Sequence, residues 1–149
     1  MEEMERKAFV FGSLFALSNR LQVIGDKFDD KITVKQWLLL ALLMHSGKDS
    51  LSLGELAALG GSSHQNTKKM ASLLEKLGFL KMEKSSEDAR VLQVSVTSDC
   101  LEYLKGREER EVAFLERLFQ GFSSETLQGL CEGFSLLARN IEQMEKKHV

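Results

Sequence analysis

The densest run of groups able to recognise another molecule is Ser63-His64-Gln65-Asn66-Thr67-Lys68-Lys69. Carboxamides such as Gln65 and Asn66 can pair bidentately with adenine, and lysines can reach guanine or phosphate. A second polar run, Lys84-Ser85-Ser86-Glu87-Asp88-Ala89-Arg90, ends in an acid and a base two residues apart. An arginine at such a tip suits a narrow minor groove, where A·T tracts concentrate negative potential. Asp88 would then orient its guanidinium, and Lys84, Ser85 and Ser86 are residue types that contact phosphate. Polar groups at a helix start also serve as caps, and an exposed Asp–Arg pair also braces a turn. The surrounding elements must therefore decide between the two uses.

Other chemistries find little here. His45, His64 and His148 are scattered, as are Cys100 and Cys131, so neither metal-ligand spacing nor a disulfide framework is present. There is no G-x-S-x-G, no H-E-x-x-H and no glycine-rich phosphate loop, and neither an enzyme nor a cofactor nor a metal is expected. Cys100 falls in the first turn of an expected helix, where the dipole can lower a thiol pKa. Both cysteines nevertheless read as small buried hydrophobes rather than redox sensors. The net charge of −2 is at odds with binding a polyanion. Its distribution is not: Ser62–Leu77 carries +2, whereas Ser98 to the end carries ten acids against seven lysines and arginines.

The positioning elements follow from periodicity in a chain of 149 residues without proline. A first helix is expected over Glu3–Phe28, with Val10, Leu14, Leu17, Leu21, Ile24 and Phe28 in one seam and Met4, Ala8, Phe11 and Phe15 in another. Two apolar faces exceed what a small core needs, so one should meet a partner subunit. Thr33 caps a second helix, Val34–Ser46, apolar almost all round and so expected in the core. Its run Trp37–Met44 is the longest unbroken apolar stretch and is too short to cross a bilayer. The acidic start, with Glu2, Glu3 and Glu5, lacks the basic character of a signal peptide, so the expectation is a cytoplasmic protein without a membrane partner.

Ser52 caps a short helix, Leu53–Leu59, and Gly60-Gly61 makes a turn. The next helix opens with a cap at Ser62, boxed with Gln65, or at Ser63. Met70, Leu73, Leu74 and Leu77 should form its buried face, and Gly78 closes it. Phe79–Lys84 and Arg90–Thr97 then alternate as two strands joined by the turn Ser85–Ala89. Helix, turn, helix and hairpin in this order make a winged helix-turn-helix. A long helix over Asp99–Gln120 follows, its charged middle Lys105–Glu111 expected in solvent. The last helix, capped by Ser123-Ser124, repeats Leu127, Leu130, Phe134, Leu137, Ile141 and Met144 by threes and fours, as in an oligomer or an internal core.

Asp88-Ala89-Arg90-Val91-Leu92-Gln93-Val94-Ser95-Val96-Thr97 resembles the wing of the MarR family, the multiple-antibiotic-resistance type of bacterial transcription regulators. The serine-capped helix closed by Leu77-Gly78-Phe79-Leu80 resembles its recognition helix, and element order matches along essentially the whole chain. Ser98-Asp99-Cys100 stands where many members carry a glycine. The resemblance implies a mainly α fold with a small β-hairpin wing: one winged helix-turn-helix domain over 1–149, with 1–30 and 98–149 as dimerisation helices and 53–97 contacting DNA. It further implies a homodimer on a pseudo-palindromic operator in double-stranded DNA, usually a repressor released by a small-molecule effector or by oxidation. Phe15, Trp37 and Met44 are candidates for an effector pocket, although a lone tryptophan on an apolar helix is more often core. The competing function is a winged-helix protein-interaction module that binds no DNA.

Overall fold

A computed structural model describes residues 2–147, which leaves His148 outside the described residues. Six helices and three short strands follow one another: α1 Glu3–Asp26, α2 Val34–His45, β1 Leu51–Ser52, α3 Leu53–Gly60, α4 His64–Lys76, β2 Leu80–Lys84, β3 Leu92–Val96, α5 Ser98–Leu118 and α6 Ser124–Lys147. The chain divides into two compact units, residues 1–105 and 106–149.

In the first unit the helix starts are fixed by side-chain caps. Thr33 Oγ1 accepts from the Gln36 amide at 3.2 Å, while the Thr33 amide donates to Gln36 Oε1 at 2.9 Å. Ser52 and Glu55 form the same reciprocal box at the start of α3. Of the two caps open for α4, Ser63 serves: its Oγ accepts from the Asn66 amide at 3.1 Å. Gly61 and Gly78, at φ 64° and 84°, end α3 and α4 in a left-handed conformation that other residues adopt only at a cost.

The core is built where these elements converge. Leu39, Leu40 and Leu43 of α2 meet Leu53 and Leu56 of α3, Ala71 and Leu74 of α4, Leu80 and Val94 of the sheet, and Cys100. On α4 the inward residues are Thr67, Ala71 and Leu74, spaced by four and three. Leu73 and Leu77, expected inside, are more than two-fifths exposed, and Met70 is only partly buried. They lie on the stripe next to the inner one, which apolar spacing alone does not separate. On α2 likewise, Trp37, Leu38 and Met44 are exposed in the single chain.

The sheet has three strands in the order β1-β3-β2, not the two of a bare hairpin. Leu51 pairs with Val94 and Ser52 with Gln93, both antiparallel. A strand of two residues leaves no periodicity to read, and Ser52 is already committed as the cap of α3. The β2–β3 register runs from Leu80↔Val96 to Lys84↔Leu92.

Helix α1 has no buried residue, and both of its expected seams are largely exposed in the single chain, with Leu14 and Phe28 half-buried. Among the described residues it is also the one helix long and apolar enough, by length and composition, to cross a membrane. The longest unbroken apolar run was therefore the wrong measure: α1 interrupts its apolar residues with Gly12, Ser13, Ser18 and Asn19. Its end is locked onto α2. The Asp26 carboxylate accepts from the Val34 amide at 2.8 Å, and a methyl group on Gly25 would sit 2.1 Å from Val34 Cγ2. Tyr103 of α5 holds the connector between them, donating its hydroxyl hydrogen to Asp29 and stacking on Phe79 at 4.6 Å between ring centroids.

In the second unit, α6 carries Leu127, Leu130, Phe134, Ile141 and Met144 in one exposed seam. The charged stretch of α5 is not wholly solvated. Arg107 is only 6% exposed, with its Nε 3.3 Å from Glu111 Oε1. Glu111 follows Arg107 by four residues, one turn further along the same helix.

Gly25→Ala should destabilise the fold by about 1–3 kcal/mol despite the better helix propensity of alanine, because Val34 is stiff at its β-carbon. Urea unfolding checks this, and Val34→Ala in the same chain should restore most of the loss.

Candidate nucleic-acid interface

The cap at Ser63 determines what α4 offers to solvent. With Ser63 turned back onto the Asn66 amide, His64, Gln65, Asn66, Lys68 and Lys69 are all exposed along the first two turns. Thr67 is the exception. It is 2% exposed, and its hydroxyl donates to the Ser63 carbonyl at 2.9 Å. Expected among the contact residues, Thr67 instead packs inward on the face of Ala71 and Leu74, where it cannot touch a base.

The wing presents a second surface. The Ser85 amide donates to the Val91 carbonyl at 2.8 Å, closing the turn, and the Arg90 amide donates to Asp88 Oδ1 at 3.0 Å. Arg90 Nε and Nη2 donate to the same carboxylate at 3.1 and 3.2 Å. This fork holds the guanidinium in place while leaving the side chain 91% exposed. Both expected uses of the pair are thus compatible: the bracing of the turn also aims the arginine outward. Lys84 and Ser86 are exposed nearby, and Ser85 is half-buried. Hydrogen bonds from the Arg90 side chain and backbone hold the Asp88 carboxyl below its ordinary pKa.

Two side chains, Thr97 and Glu75, set wing and helix against each other. Thr97 Oγ1 donates to the Gly78 carbonyl at 2.6 Å and accepts from the Cys100 amide at 3.2 Å. Glu75 Oε2 accepts from the Met82 amide at 2.8 Å. Neither role was legible from residue type.

A cavity of about 610 Å³ lies behind α4, floored by Leu38, Leu39, Leu42 and Leu56 and edged by Gln22, Lys35 and Asn66. Phe15, Trp37 and Met44 are not among its lining residues. Cys100 is fully buried, and desolvation pushes its thiol up to about 11, so burial outweighs the helix dipole. Cys131 is exposed in the single chain. Among the described residues no cluster of three or more His, Cys, Asp or Glu side chains could hold a metal ion.

Residues 31–91 match the MarR family model, a span running from the α1–α2 connector through the wing turn. A regulator from Bacillus subtilis, the uncharacterized HTH-type transcriptional regulator YfiV, is 29% identical over 143 residues, covering 96% of this chain and 88% of its own. Over residues 31–91 the chain is similar to the MarR family. The likeness in fold extends to solved structures. A MarR protein from Peptoclostridium difficile superposes with a TM-score of 0.80 at 22% identity, covering 94% of this chain and 92% of that one. Sco3205 of Streptomyces coelicolor, solved in complex with DNA, superposes at 0.77 and 21% identity, with 91% and 88% covered.

Two outcomes follow for this protein. In the native state at pH 8 Cys100 should resist alkylation and react only after denaturation, as mass spectrometry of the labelled peptides would show. Asp88 contributes its bracing above the ordinary carboxylate pKa and loses it only as pH falls through its depressed value. The wing turn, followed by the NMR shift of the Arg90 amide, should therefore be constant from pH 6 to 8 and change only in acid.

Proposed function

We propose that this protein is a regulator of the MarR type, a sequence-specific DNA-binding repressor working in the cytoplasm as a homodimer on a pseudo-palindromic operator and released by a small molecule. The observation that carries the reading is the joint exposure of the α4 start and of Arg90, the latter held outward by Asp88.

The α4 start enters the major groove, where His64, Gln65 and Asn66 face base edges and Ser63, Lys68 and Lys69 contact the backbone or guanine. Each bidentate carboxamide contact contributes about 1–3 kcal/mol of discrimination against a wrong base. Arg90 enters the adjacent minor groove, and Lys84, Ser85 and Ser86 bind phosphates. The positive excess on α4 supplies the attraction that the whole chain, at −2, lacks.

The exposed apolar faces of α1 and α6 are covered by a second copy of the chain rather than by lipid. Arg20 and Gln22 interrupt the more apolar of these two helices, a placement better suited to a protein interface than to the bilayer interior. The effector occupies the crevice beside α2, either in the cavity behind α4 or nearer Phe15, Trp37 and Met44 on the exposed apolar surface.

Arg90→Ala should weaken binding to a selected duplex by about 1–3 kcal/mol with an unchanged circular dichroism spectrum. Wild-type affinity should fall steeply with salt. A second reading, a protein-interaction module, is favoured by the acidic balance of the chain after Ser98; it requires that neither measurement respond. Phe134→Glu on α6 should shift the chain from dimer to monomer in sedimentation velocity, because a charge in a desolvated seam is left unpaired.

A further inference from the structure

We propose that Glu75 is a positioning residue for DNA recognition, its carboxylate setting the angle between α4 and the wing by capping the free edge of β2. The inference rests on the DNA-binding reading above.

The register places the Met82 amide on that edge. Thr97 donates to the Phe79 carbonyl and Ser85 to the Val91 carbonyl, so odd-numbered residues of β2 bond to β3 and even-numbered ones point away. The outward Met82 N–H is met by Glu75 Oε2 at 2.8 Å, across the turn that joins helix to strand. That turn pivots on Gly78, a residue with wide conformational freedom. Its root is fixed by the Phe79 amide on the Leu74 carbonyl at 3.0 Å and by Thr97 on Gly78. The Glu75 bond lies further along the strand, where the same bond restrains the swing of the wing with a longer lever. Solvent could satisfy this exposed amide equally well, so the bond matters little for burial and much for direction.

The charge makes the role conspicuous. Glu75 is the sole acid between Ser63 and Lys76, on the element expected to approach phosphates. Electrostatics alone would favour any neutral residue there. A strut accounts for its presence, because a carboxylate is a strong acceptor for a backbone N–H.

The two accounts predict opposite signs. The probe is the duplex that the wild-type chain enriches from a random pool, compared with a scrambled duplex of equal length. Glu75→Ala should bind the enriched duplex roughly tenfold more weakly, and the scrambled one no more weakly, although a negative charge has been removed. Hydroxyl-radical footprints should lose the minor-groove protection of the wing while keeping that of α4. Glu75→Gln, whose side-chain carbonyl still accepts, should bind within about twofold of wild type, and the Met82 amide should exchange faster only in the alanine variant. A pool from which wild type enriches no motif defeats the DNA reading. An enriched motif that Glu75→Ala holds as tightly as wild type, or more tightly, defeats the strut.

Discussion

The geometry of this protein depends on one hydroxyl. Thr97 Oγ1 donates to the carbonyl of Gly78 at the end of α4 and accepts from the Cys100 amide in the first turn of α5. Its own amide bonds the Phe79 carbonyl. A single residue thus joins the end of α4, the last pair of the β2–β3 ladder and the start of the long helix. Valine at this position would keep the volume and the strand propensity but leave the Gly78 carbonyl and the first turn of α5 without their partner. The threonine that ends the wing motif is therefore a joint as much as a strand residue.

Around that joint, two kinds of stabilisation divide the work. Apolar burial holds α2, α3, α4 and the sheet together through Leu40, Leu53, Leu56, Leu74 and Val94, and it has no direction. Direction comes from polar contacts at the edges: the boxes at Thr33 and Ser52, the tyrosine hydroxyl on Asp29, the carboxylate of Glu75 and the fork of Asp88 on Arg90. Surface recognition needs both, since a packed lobe without oriented edges would present its side chains at no fixed spacing.

Much of this was legible in the sequence, for physical reasons. Helix starts at Thr33, Ser52 and the Ser62-Ser63 pair follow from the local chemistry of capping, which leaves only the choice of Ser63 to the structure. The hairpin follows from alternation, and caps, glycines and periodicity give the order of elements, which the resemblance of Asp88–Thr97 and Leu77–Leu80 to MarR motifs matches. Tertiary choices were less visible. Periodicity marks an apolar side of α4 but does not say that Thr67 turns in while Leu73 and Leu77 turn out, because neighbouring stripes differ by a fraction of a turn. Composition marks Lys105–Glu111 as charged without showing that Arg107 is buried beside Glu111. β1 is too short to have a pattern. Glu75 was counted as a charge, and only the structure gives it an amide to hold.

The exposed seams of α1 and α6 and the paired α4–wing surface belong to one account, in which two copies of the chain face one duplex. Selection from random duplexes, followed by the mass of the selected complex, tests it most directly. The account predicts an enriched motif of two inverted half-sites, roughly one helical turn apart from centre to centre, carrying two chains. An enriched single half-site bound by one chain, or no enrichment at all, would contradict it.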